Sequence, residues 1–304
     1  MESRGAMDRT DRLTQTPATD SGTSDAQPPF SVLMSLYVRE DPEALDIALK
    51  SLAAQTHPAA EIVIVLDGPI LPAHSGLLDQ HAANLPLKIV PLPENVGLAK
   101  ALTAGLAVCS HEWVARFDTD DWSRPDRFAT QFAFLAENPS VVLLGSWIGE
   151  FDHDPRKITQ IRELPLSHEE IVRYGRRRNP FNHMTVVFRR SIVQAVGGYQ
   201  HLSLMEDYWL WVRILQAGYR TANQPELLVH ARAGLPMIAR RGGVNYVRSE
   251  IAAQTRFWQV GFLPAGTALT NCVLRSIPRL MPAGLRSFLY RRMLRKNDAN
   301  RPRP

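Results

Sequence analysis

The sequence predicts an α/β protein with a Rossmann-like, doubly wound and mostly parallel sheet, followed by a helical C-terminal extension. Short β-rich runs alternate with helical patterns between residues 30 and 122, which is typical of βαβ units. The run at residues 61–67 is apolar from Ile62 to Leu66, as expected of a parallel strand with helices on both faces. In such sheets, ligands bind beyond the carboxyl ends of the strands.

The first half is regular enough for its elements to be assigned in order. A strand at residues 30–37 leads into a helix at residues 41–55, in which Leu45, Leu49 and Leu52 share one face. The elements that follow are a strand at 61–67, a helix near 74–83, a strand at 87–90, a helix from 98 onwards and a strand at 112–117.

The second half has weaker periodicity, and its elements are shorter. The predicted elements are a strand at 141–147, a polar loop at 176–183, a strand at 184–188, a turn at 197–199, a helix after residue 207 that Gly218 ends, short strands near 220 and at 226–230, and a helix from about 240 to 258.

Composition divides the 304 residues into three parts. Residues 1–29 are rich in Ser, Thr, Asp, Gly and Pro, which predicts a disordered extension. Residues 30–260 have the patterns of a globular domain. Residues 261–304 form a basic helical tail, in which we expect breaks at Pro278 and Pro282. Since residues 271–304 hold eight arginines and one lysine against one aspartate, we expect the tail to lie on an anionic membrane; a solvated basic tail is the alternative.

Cysteine usage and hydropathy favour a cytoplasmic protein. Cys109 and Cys272 lie far apart and do not have the spacing of a zinc site, which suits a reducing compartment. No run reaches the length of about 18 apolar residues that a membrane-spanning helix needs. The N-terminus lacks the apolar core of an export signal.

The stretch Asp118-Thr119-Asp120-Asp121 follows the last strand of the first half. The residues after it, Ser123 to Asp126, have the pattern of a helix start, so we expect them to cap the next helix and leave the three aspartates free. Neighbouring carboxylates repel one another unless a cation lies among them, and Mg²⁺ or Mn²⁺ binds both carboxylates and diphosphates. The pattern therefore favours a metal–diphosphate site at Asp118, Asp120 and Asp121, with an acidic surface turn as the alternative.

Other polar residues are predicted to reach the same edge of the sheet. Tyr37 follows the first strand, Asp67 ends the second, and the loop Asn95-Val96-Gly97 precedes a helix with Lys100 in its first turn. A helix N-terminus attracts phosphate, and a lysine there adds to the attraction, although Lys100 can equally point to solvent. Asp67 can also simply begin a turn.

Residues 30–260 resemble the family-2 glycosyltransferases with a GT-A fold. The resemblance assigns the end of the first strand, with Ser35 and Tyr37, to the nucleotide base, and Asp67 to uracil or ribose. This chain has Leu66 and Pro69 where the family's Asp-Asp-Gly-Ser turn has its first Asp and its Ser. The remaining motif matches are Asn95-x-Gly97 beside the nucleotide, Asp118-x-Asp120 at the metal and the pair Glu206-Asp207.

The resemblance implies an inverting, metal-dependent enzyme in which Asp207 is the general base. Residues 30–122 are then the nucleotide-binding half and residues 123–260 the acceptor half. From the residues themselves, we expect His183, with Asn182, to line the acceptor side and Glu206 to contact substrate. Arg240 and Arg241, beside two glycines, are of a type that clamps a diphosphate. Capping is the alternative for Glu206 and Asp207, and solvation is the alternative for His183 and the two arginines.

Within the family, Leu66-Asp67-Gly68-Pro69, the Arg-Arg-Gly-Gly step at 240–243 and the basic tail are most similar to bacterial exopolysaccharide transferases of the amylovoran type. That likeness implies a nucleotide-sugar donor, most simply a UDP-sugar, and a polyprenyl-diphosphate-linked glycan acceptor. The product would belong to exopolysaccharide or lipopolysaccharide assembly. The protein would then lie on the cytoplasmic face of the inner membrane.

Two other functions are weighed against this one. A sugar-phosphate nucleotidylyltransferase shares the sheet architecture but needs a Gly-rich loop after the first strand, where this chain has Val38-Arg39-Glu40-Asp41. A nucleic-acid-binding protein needs basic and aromatic residues spread over its folded surface, whereas the basic excess here lies in the tail. We therefore expect no nucleic-acid partner.

Overall fold

The computed structural model describes residues 27–233 and 243–280. Predictions for most of the N-terminal extension, for Arg240 and Arg241 and for the tail beyond Leu280 lie outside these residues. The strands are β1 Phe30–Leu36, β2 Glu61–Leu66, β3 Leu87–Pro91, β4 Trp113–Arg116, β5 Trp122–Ser123, β6 Val141–Phe151, β7 Gln160–Arg162, β8 Val187–Arg189 and β9 Arg220–Arg232. The helices are α1 Pro42–Ala53, α2 Pro72–His81, α3 Leu98–Val108, α4 Arg127–Glu137, α5 His168–Gly175, α6 Arg190–Ala195, α7 Glu206–Gln216, α8 Val244–Gln259 and α9 Ala265–Leu280.

One sheet holds all nine of these strands, in the order β3-β2-β1-β4-β8-β6-β9-β5, with β7 paired to β6. The first four strands are parallel to one another, as the βαβ pattern predicts. Beyond β4 the sheet is mixed: β8 runs antiparallel to β4 and β6, while β6 and β9 are parallel. The fold is therefore an α/β fold whose parallel half is extended by a mixed half.

Helices cover both faces of the parallel half and bury it. On one face, α1 packs Leu45, Leu49 and Leu52 against the sheet, which confirms the predicted apolar face. On the other face, α3 approaches so closely that a Cβ at Gly105 would lie 2.5 Å from the side chain of Leu33. A glycine at this point therefore sets the distance between helix and sheet.

The predicted helix start at residues 123–126 is wrong. Ser123 belongs to β5, where it pairs with β9, and its backbone N–H donates to Ser51 Oγ at 3.1 Å. The helix α4 begins at Arg127, and Asp126 at its N-cap position makes no side-chain capping hydrogen bond. Asp126 instead pairs with the guanidinium of Arg124. A long-range strand pairing therefore overrides a local capping pattern.

Three other elements of the second half differ from the prediction. The two short strands near 220 and 226–230 are one strand, β9, because β6 runs beside it with register shifts that absorb its irregular middle. The strand β6 continues to Phe151 instead of ending at 147. Residues His183–Thr185 form a 3₁₀ turn, so the strand predicted at 184–188 starts only at Val187.

The chain ends, within the described residues, in two packed helices, α8 and α9. The helix α9 continues through Pro278 to Leu280, so the break expected at Pro278 is not present. Pro278 lies in the last turn, where few helical hydrogen bonds remain to be lost. Among the helices described, none is long and apolar enough to cross a membrane.

Candidate functional site

Parallel pairing brings the ends of β1, β2 and β4 to one edge of the sheet. Ser35 lies near the end of β1, level with Val65 of β2, and is partly exposed. Tyr37 follows β1 and is half-buried; its carbonyl accepts a hydrogen bond from the N–H of Glu40 at 3.1 Å. Both residues are therefore available at the edge where the sequence predicts a nucleotide base.

Asp67 organises the loop that follows β3. Its Oδ1 accepts from the N–H of Val96 at 2.7 Å, and its Oδ2 accepts from the N–H of Gly97 at 3.1 Å. The amide of Asn95 donates back to the carbonyl of Asp67 at 3.2 Å. Each carboxylate oxygen still has a second lone pair, so Asp67 can hold the loop and accept from a ligand.

Two glycines allow this loop to lie against the end of β2. Gly68 has φ +87°, and a Cβ there would lie 2.7 Å from the backbone nitrogen of Asn95. Gly97 has φ +85° at the N-cap position of α3. The first turn of α3, with the exposed Lys100, therefore opens at the edge that Asp67 fixes. A helix N-terminus with a lysine beside it suits a diphosphate.

The predicted acidic triad is brought together beside a buried arginine. Ligand oxygens of Asp118, Asp120 and Asp121 lie within 4.8 Å of one another. Arg116, the last residue of β4 and 1% exposed, forms an ion pair with Asp118. Burial, followed by the charge of Asp118, raises the pKa of Asp120 to about 6. Burial and the charges of Asp120 and Asp118 also raise the pKa of Asp121.

Asp121 is the most deeply placed carboxylate of the triad. Its Oδ1 accepts from the N–H of Arg232 at 2.9 Å, while its buried Oδ2 lacks a hydrogen-bond partner. A buried carboxylate oxygen without a partner costs free energy, and a cation would satisfy it. Three crowded carboxylates, of which Asp120 and Asp121 have raised pKa values, and one unpaired oxygen therefore fit a hard divalent cation.

A second buried arginine, Arg127, holds the backbone of Arg116 in place. Arg127 Nη2 donates to the carbonyl of Arg116 at 2.9 Å, and its guanidinium lies over the rings of Phe117 and Phe128. Burial lowers the pKa of Arg127 to about 9, against the opposing effect of Asp121. This packing fixes the backbone from which the acidic stretch emerges.

The pair Glu206-Asp207 forms the first turn of α7. Asp207 Oδ2 accepts from Asn179 Nδ2 at 2.6 Å, and Asp207 Oδ1 accepts from the N–H of Tyr208. Burial raises the pKa of Asp207, and burial together with the charge of Asp207 raises the pKa of Glu206 to about 7. Both residues are partly buried, so each keeps some contact with solvent.

The backbone just before this pair is strained. Leu204 adopts φ +62°, and it is the one residue other than glycine with positive φ in the part of the chain that the structure describes. Its side chain is 52% exposed. Strain of this kind concentrates at functional sites, and here it directly precedes the carboxylates that the sequence singles out.

His183 is not a solvated loop residue. Its Nε2 lies 3.0 Å from the hydroxyl of Tyr199, and its ring packs edge-on against Trp211. Burial and the nearby charge of Arg116 lower the pKa of His183, so the ring is neutral at pH 7. His183 is therefore a neutral hydrogen-bonding group held by Tyr199 and Trp211.

Arg116 joins the triad and the pair into one site. Its charge acts on Asp118, Asp120 and Asp121 and also on Glu206 and Asp207. Tyr199 feels the charges of Arg116, Asp207, Glu206 and Asp118 together. The two acidic groups are distant in the chain but therefore lie near one another in the fold.

The sequence does not identify three residues that contact or influence these carboxylates: Arg116, Asn179 and Tyr199. A signal for Arg116 exists, because it shares a strand face with the buried Val114, where a charge needs a partner. Tyr199 follows two glycines that both have positive φ, which marks a forced turn. Asn179 gives no local signal, since its role depends on a residue 28 positions away.

Residues 31–197 match the sequence profile described as Glycosyl transferase family 2. The chain is 45% identical over 264 residues to the amylovoran biosynthesis glycosyltransferase AmsE of Erwinia amylovora, covering 86% of this chain and 97% of that protein. It is 35% identical over 273 residues to an Escherichia coli UDP-Gal:alpha-D-GlcNAc-diphosphoundecaprenol beta-1,3-galactosyltransferase, covering 90% of this chain and 99% of that enzyme.

Solved structures match the fold at low identity. TarS 1-349 of S. aureus in complex with UDP-GlcNAc superimposes with a TM-score of 0.62 at 18% identity, over 82% of this chain and 72% of that one. The mannosyltransferase PcManGT from Pyrobaculum calidifontis, in complex with GDP-Man and Mn²⁺, superimposes with a TM-score of 0.58 at 17% identity, over 90% of this chain and 80% of that one.

These matches confirm the expected GT-A architecture and separate the three functional hypotheses. The profile covers more than half of the chain, and the two relatives align along nearly their whole length. The chain belongs to glycosyl transferase family 2.

Proposed function

We propose that this enzyme transfers a sugar, with inversion, from a UDP-sugar to a glycan linked through diphosphate to a polyprenyl lipid. One observation supports this proposal above the others: the charge of the buried Arg116 acts both on the acidic triad and on Asp207, as expected if the two acidic groups lie near each other. The triad would then face the departing diphosphate and Asp207 the incoming hydroxyl, with the reacting sugar between them. The named activity of the E. coli relative, which uses UDP-Gal and a diphosphoundecaprenol-linked acceptor, supports the same donor and acceptor classes.

The donor lies along the parallel half. Ser35 and Tyr37 contact the base, Asp67 contacts uracil or ribose, and Asn95 and Gly97 line the nucleotide. The first turn of α3, with Lys100, faces the phosphates. This arrangement follows the rule that parallel sheets bind ligands beyond the carboxyl ends of their strands. Arg240 and Arg241 are proposed to clamp the diphosphate, although they lie outside the described residues.

Asp120, with Asp118 and Asp121, would hold Mn²⁺ or Mg²⁺. Bound there, the ion neutralises charge on the nucleoside diphosphate as it leaves. Arg116 keeps Asp118 in place through its ion pair, and Arg232 fixes Asp121 through its backbone N–H. These contacts orient the carboxylates so that their free oxygens point to one position.

Asp207 would remove the proton from the acceptor hydroxyl as that hydroxyl attacks the anomeric carbon. Asn179 holds one carboxylate oxygen at 2.6 Å and leaves lone pairs for the hydroxyl. The raised pKa of Asp207 suits a base, because it increases the affinity for the proton that is taken. A single displacement of this kind inverts the anomeric centre and needs no nucleophile from the protein.

The location proposed is the cytoplasmic face of the inner membrane. Residues 271–304 have a net charge of +8, and each basic side chain near an anionic lipid surface contributes about 1 kcal/mol to attraction. A lipid-linked acceptor is confined to that surface. The basic tail would therefore keep the enzyme where its acceptor is.

A donor-binding experiment tests the triad and the donor class together. We expect calorimetry to show UDP binding in Mn²⁺ and a weaker affinity, by about ten- to a hundredfold, in chelator or in Asp120→Asn. Asp126→Asn is the matched control, because Asp126 pairs only with Arg124 in the contacts described. Equal affinity with and without Mn²⁺ would contradict the metal role.

A transfer experiment tests the reaction itself. UDP-sugars are supplied one at a time with a short-chain lipid-diphosphate sugar, and the anomeric configuration of the product is read by NMR. We expect one donor to react and the product to have the opposite configuration. A product with retained configuration would contradict the single displacement.

A further inference from the structure

The two C-terminal helices turn an apolar side away from the rest of the protein. Over residues 265–277, the side chains of α9 that are more than about a third exposed include no charged one; they are Ala265, Gly266, Leu269, Thr270, Val273, Leu274 and Ile277. Leu269 is 68% exposed and Leu274 is 63% exposed. The helix α8 adds Val244, Ile251 and Trp258, which are each about half exposed, with the exposed Arg248 on the same side. We give the name outer face to seven large apolar side chains: Leu269, Val273, Leu274 and Ile277 of α9 and Val244, Ile251 and Trp258 of α8.

The inner side of the same helices carries paired polar side chains beside the core residues Ala253, Phe257 and Ala268. Glu250 is buried in α8, where it pairs with Arg275 of α9 at 2.9 Å and accepts from Gln254 at 2.9 Å. Asn271 donates to Gln254 and to the carbonyl of Arg176. A surface helix usually hides its apolar side and shows its polar side, and α9 does the opposite. The outer face therefore needs a partner, since soluble surfaces rarely leave such a patch uncovered.

Charge identifies the partner. Residues 243–304 contain ten arginines and one lysine against two acids, Glu250 and Asp298, while residues 1–242 hold 24 basic against 28 acidic residues. Glu250 is buried and paired, so the described part of this region shows no acidic side chain to solvent. A second copy of the same region would bring like charges together, as would residues 281–304 folded back on it. An anionic lipid surface complements both the charge and the apolar side chains.

We propose that the outer face of α8 and α9 inserts into an anionic bilayer. Leu269, Val273 and Ile277, spaced four residues apart, would enter the boundary between head groups and acyl chains, and Trp258 would lie at the level of the head groups. This inference deepens the proposed function, on which it rests for the lipid-linked acceptor.

Vesicle sedimentation of the full-length protein tests the proposal. The variant Leu269→Ser/Val273→Ser/Ile277→Ser is compared with wild type and with Leu71→Ser/Ile89→Ser, which makes the same chemical change at exposed apolar sites in the parallel half. The vesicles are phosphatidylcholine alone or with phosphatidylglycerol, and they contain no glycan acceptor. We expect the triple variant to lose about tenfold or more of its partition to the anionic vesicles, while the control variant binds like wild type.

Each other outcome overturns the inference. If the triple variant binds as well as wild type, the basic tail alone attracts lipid. If light scattering shows a wild-type dimer that the triple variant converts to a monomer, a second copy covers the outer face. Calorimetry of UDP with Mn²⁺ on all three proteins distinguishes a failure of this proposal from a failure of the proposed function. If wild type does not bind UDP, the proposed function is contradicted, while the vesicle result still stands.

Discussion

The parallel half and the mixed half of the sheet build their parts of the site in different ways. In the parallel half, the backbone determines where the site residues lie. The register of the strands aligns their ends, and Asp67 accepts hydrogen bonds from N–H groups of the loop after β3. In the mixed half, side chains from distant segments meet, as Asn179 meets Asp207 and His183 meets Tyr199. We therefore expect the parallel half to set donor affinity and the mixed half to set turnover.

The largest expected effect separates the two halves most clearly. Asp207→Asn keeps the shape and an oxygen for Tyr208 but cannot accept the acceptor's proton. We expect kcat to fall by about 10²- to 10⁴-fold, the usual contribution of a general base, with little change in donor affinity. Steady-state kinetics and UDP calorimetry measure the two quantities. Weaker donor binding with surviving turnover would instead make Asp207 a structural cap of α7.

The second prediction concerns the support of the mixed half by α9. Arg275 pairs with the buried Glu250 and donates to the carbonyl of Arg177, two residues before Asn179. Arg275→Met leaves Glu250 buried without this partner, which should lower the free energy of unfolding by roughly 3 kcal/mol. Denaturant unfolding measures the loss, and Arg248→Met on the exposed side of α8 is the control. An Arg275→Met variant as stable as the control would show that the pair of Arg275 with Glu250 does not stabilise the fold.

The contacts of α9 also determine where the chain can be truncated without loss of structure. Asn271 and Arg275 hold the backbone at residues 176 and 177, and this segment leads to the asparagine that orients Asp207. A truncation before residue 271 therefore removes structural contacts along with basic charge. A truncated variant that tests the basic tail alone should retain α9 and end after Leu280.

How far the sequence predicts this molecule also differs between the halves. The strands β1, β2 and β3 and the helices α1 and α3 are confirmed nearly to the residue, because their apolar patterns and turn glycines are local signals. Ser123 shows why the rest fails: it has the sequence of a helix cap, yet pairing with Val229, 106 residues later, puts it in a strand. Local propensity cannot anticipate a partner that only the folded chain supplies.

The site follows the same division. The sequence predicts the acidic triad and the pair at 206–207, and in the structure the charge of Arg116 acts on both. The position of Arg116 on the strand face of Val114 signals a charge that needs a partner, but no local signal identifies the carboxylates that it meets. The roles assigned to Asp67, Lys100 and Asp207 remain predictions that the proposed experiments address.

A third, smaller effect sharpens the comparison from the parallel half. Gly68→Ala forces a side chain onto φ +87° and places its Cβ 2.7 Å from the backbone of Asn95. The strain should cost about 1–3 kcal/mol and displace the loop that Asp67 holds, so UDP affinity should fall while kcat at saturation persists. Gly76→Ala, at a helical position with open space around it, is the control. A fall in kcat without a change in donor affinity would contradict the expectation that the parallel half sets donor affinity and the mixed half sets turnover.

The smallest effect, and the most specific, is the pH dependence that Glu206 introduces beside Asp207. Burial and the charge of Asp207 raise the pKa of Glu206 from 4.5 to about 7. When Glu206 ionises, its charge favours the proton that Asp207 takes, so Asp207 becomes the stronger base. We expect kcat to rise with pH through an inflection near 7, and Glu206→Gln to lose that inflection while retaining most of its activity.

Stability should move in the opposite direction to activity. A carboxyl group whose pKa is raised by folding binds its proton more tightly in the folded state, so its contribution to stability is complete below pH 4.5 and is lost as the pH rises through 7. Glu206→Gln removes that dependence. Unfolding free energies of wild type and Glu206→Gln at pH 5 and pH 8 should therefore diverge, with the variant relatively more stable at pH 8. Parallel pH profiles for the two proteins, in stability and in turnover, would show that Glu206 titrates as an ordinary surface carboxylate and leave Asp207 to act without it.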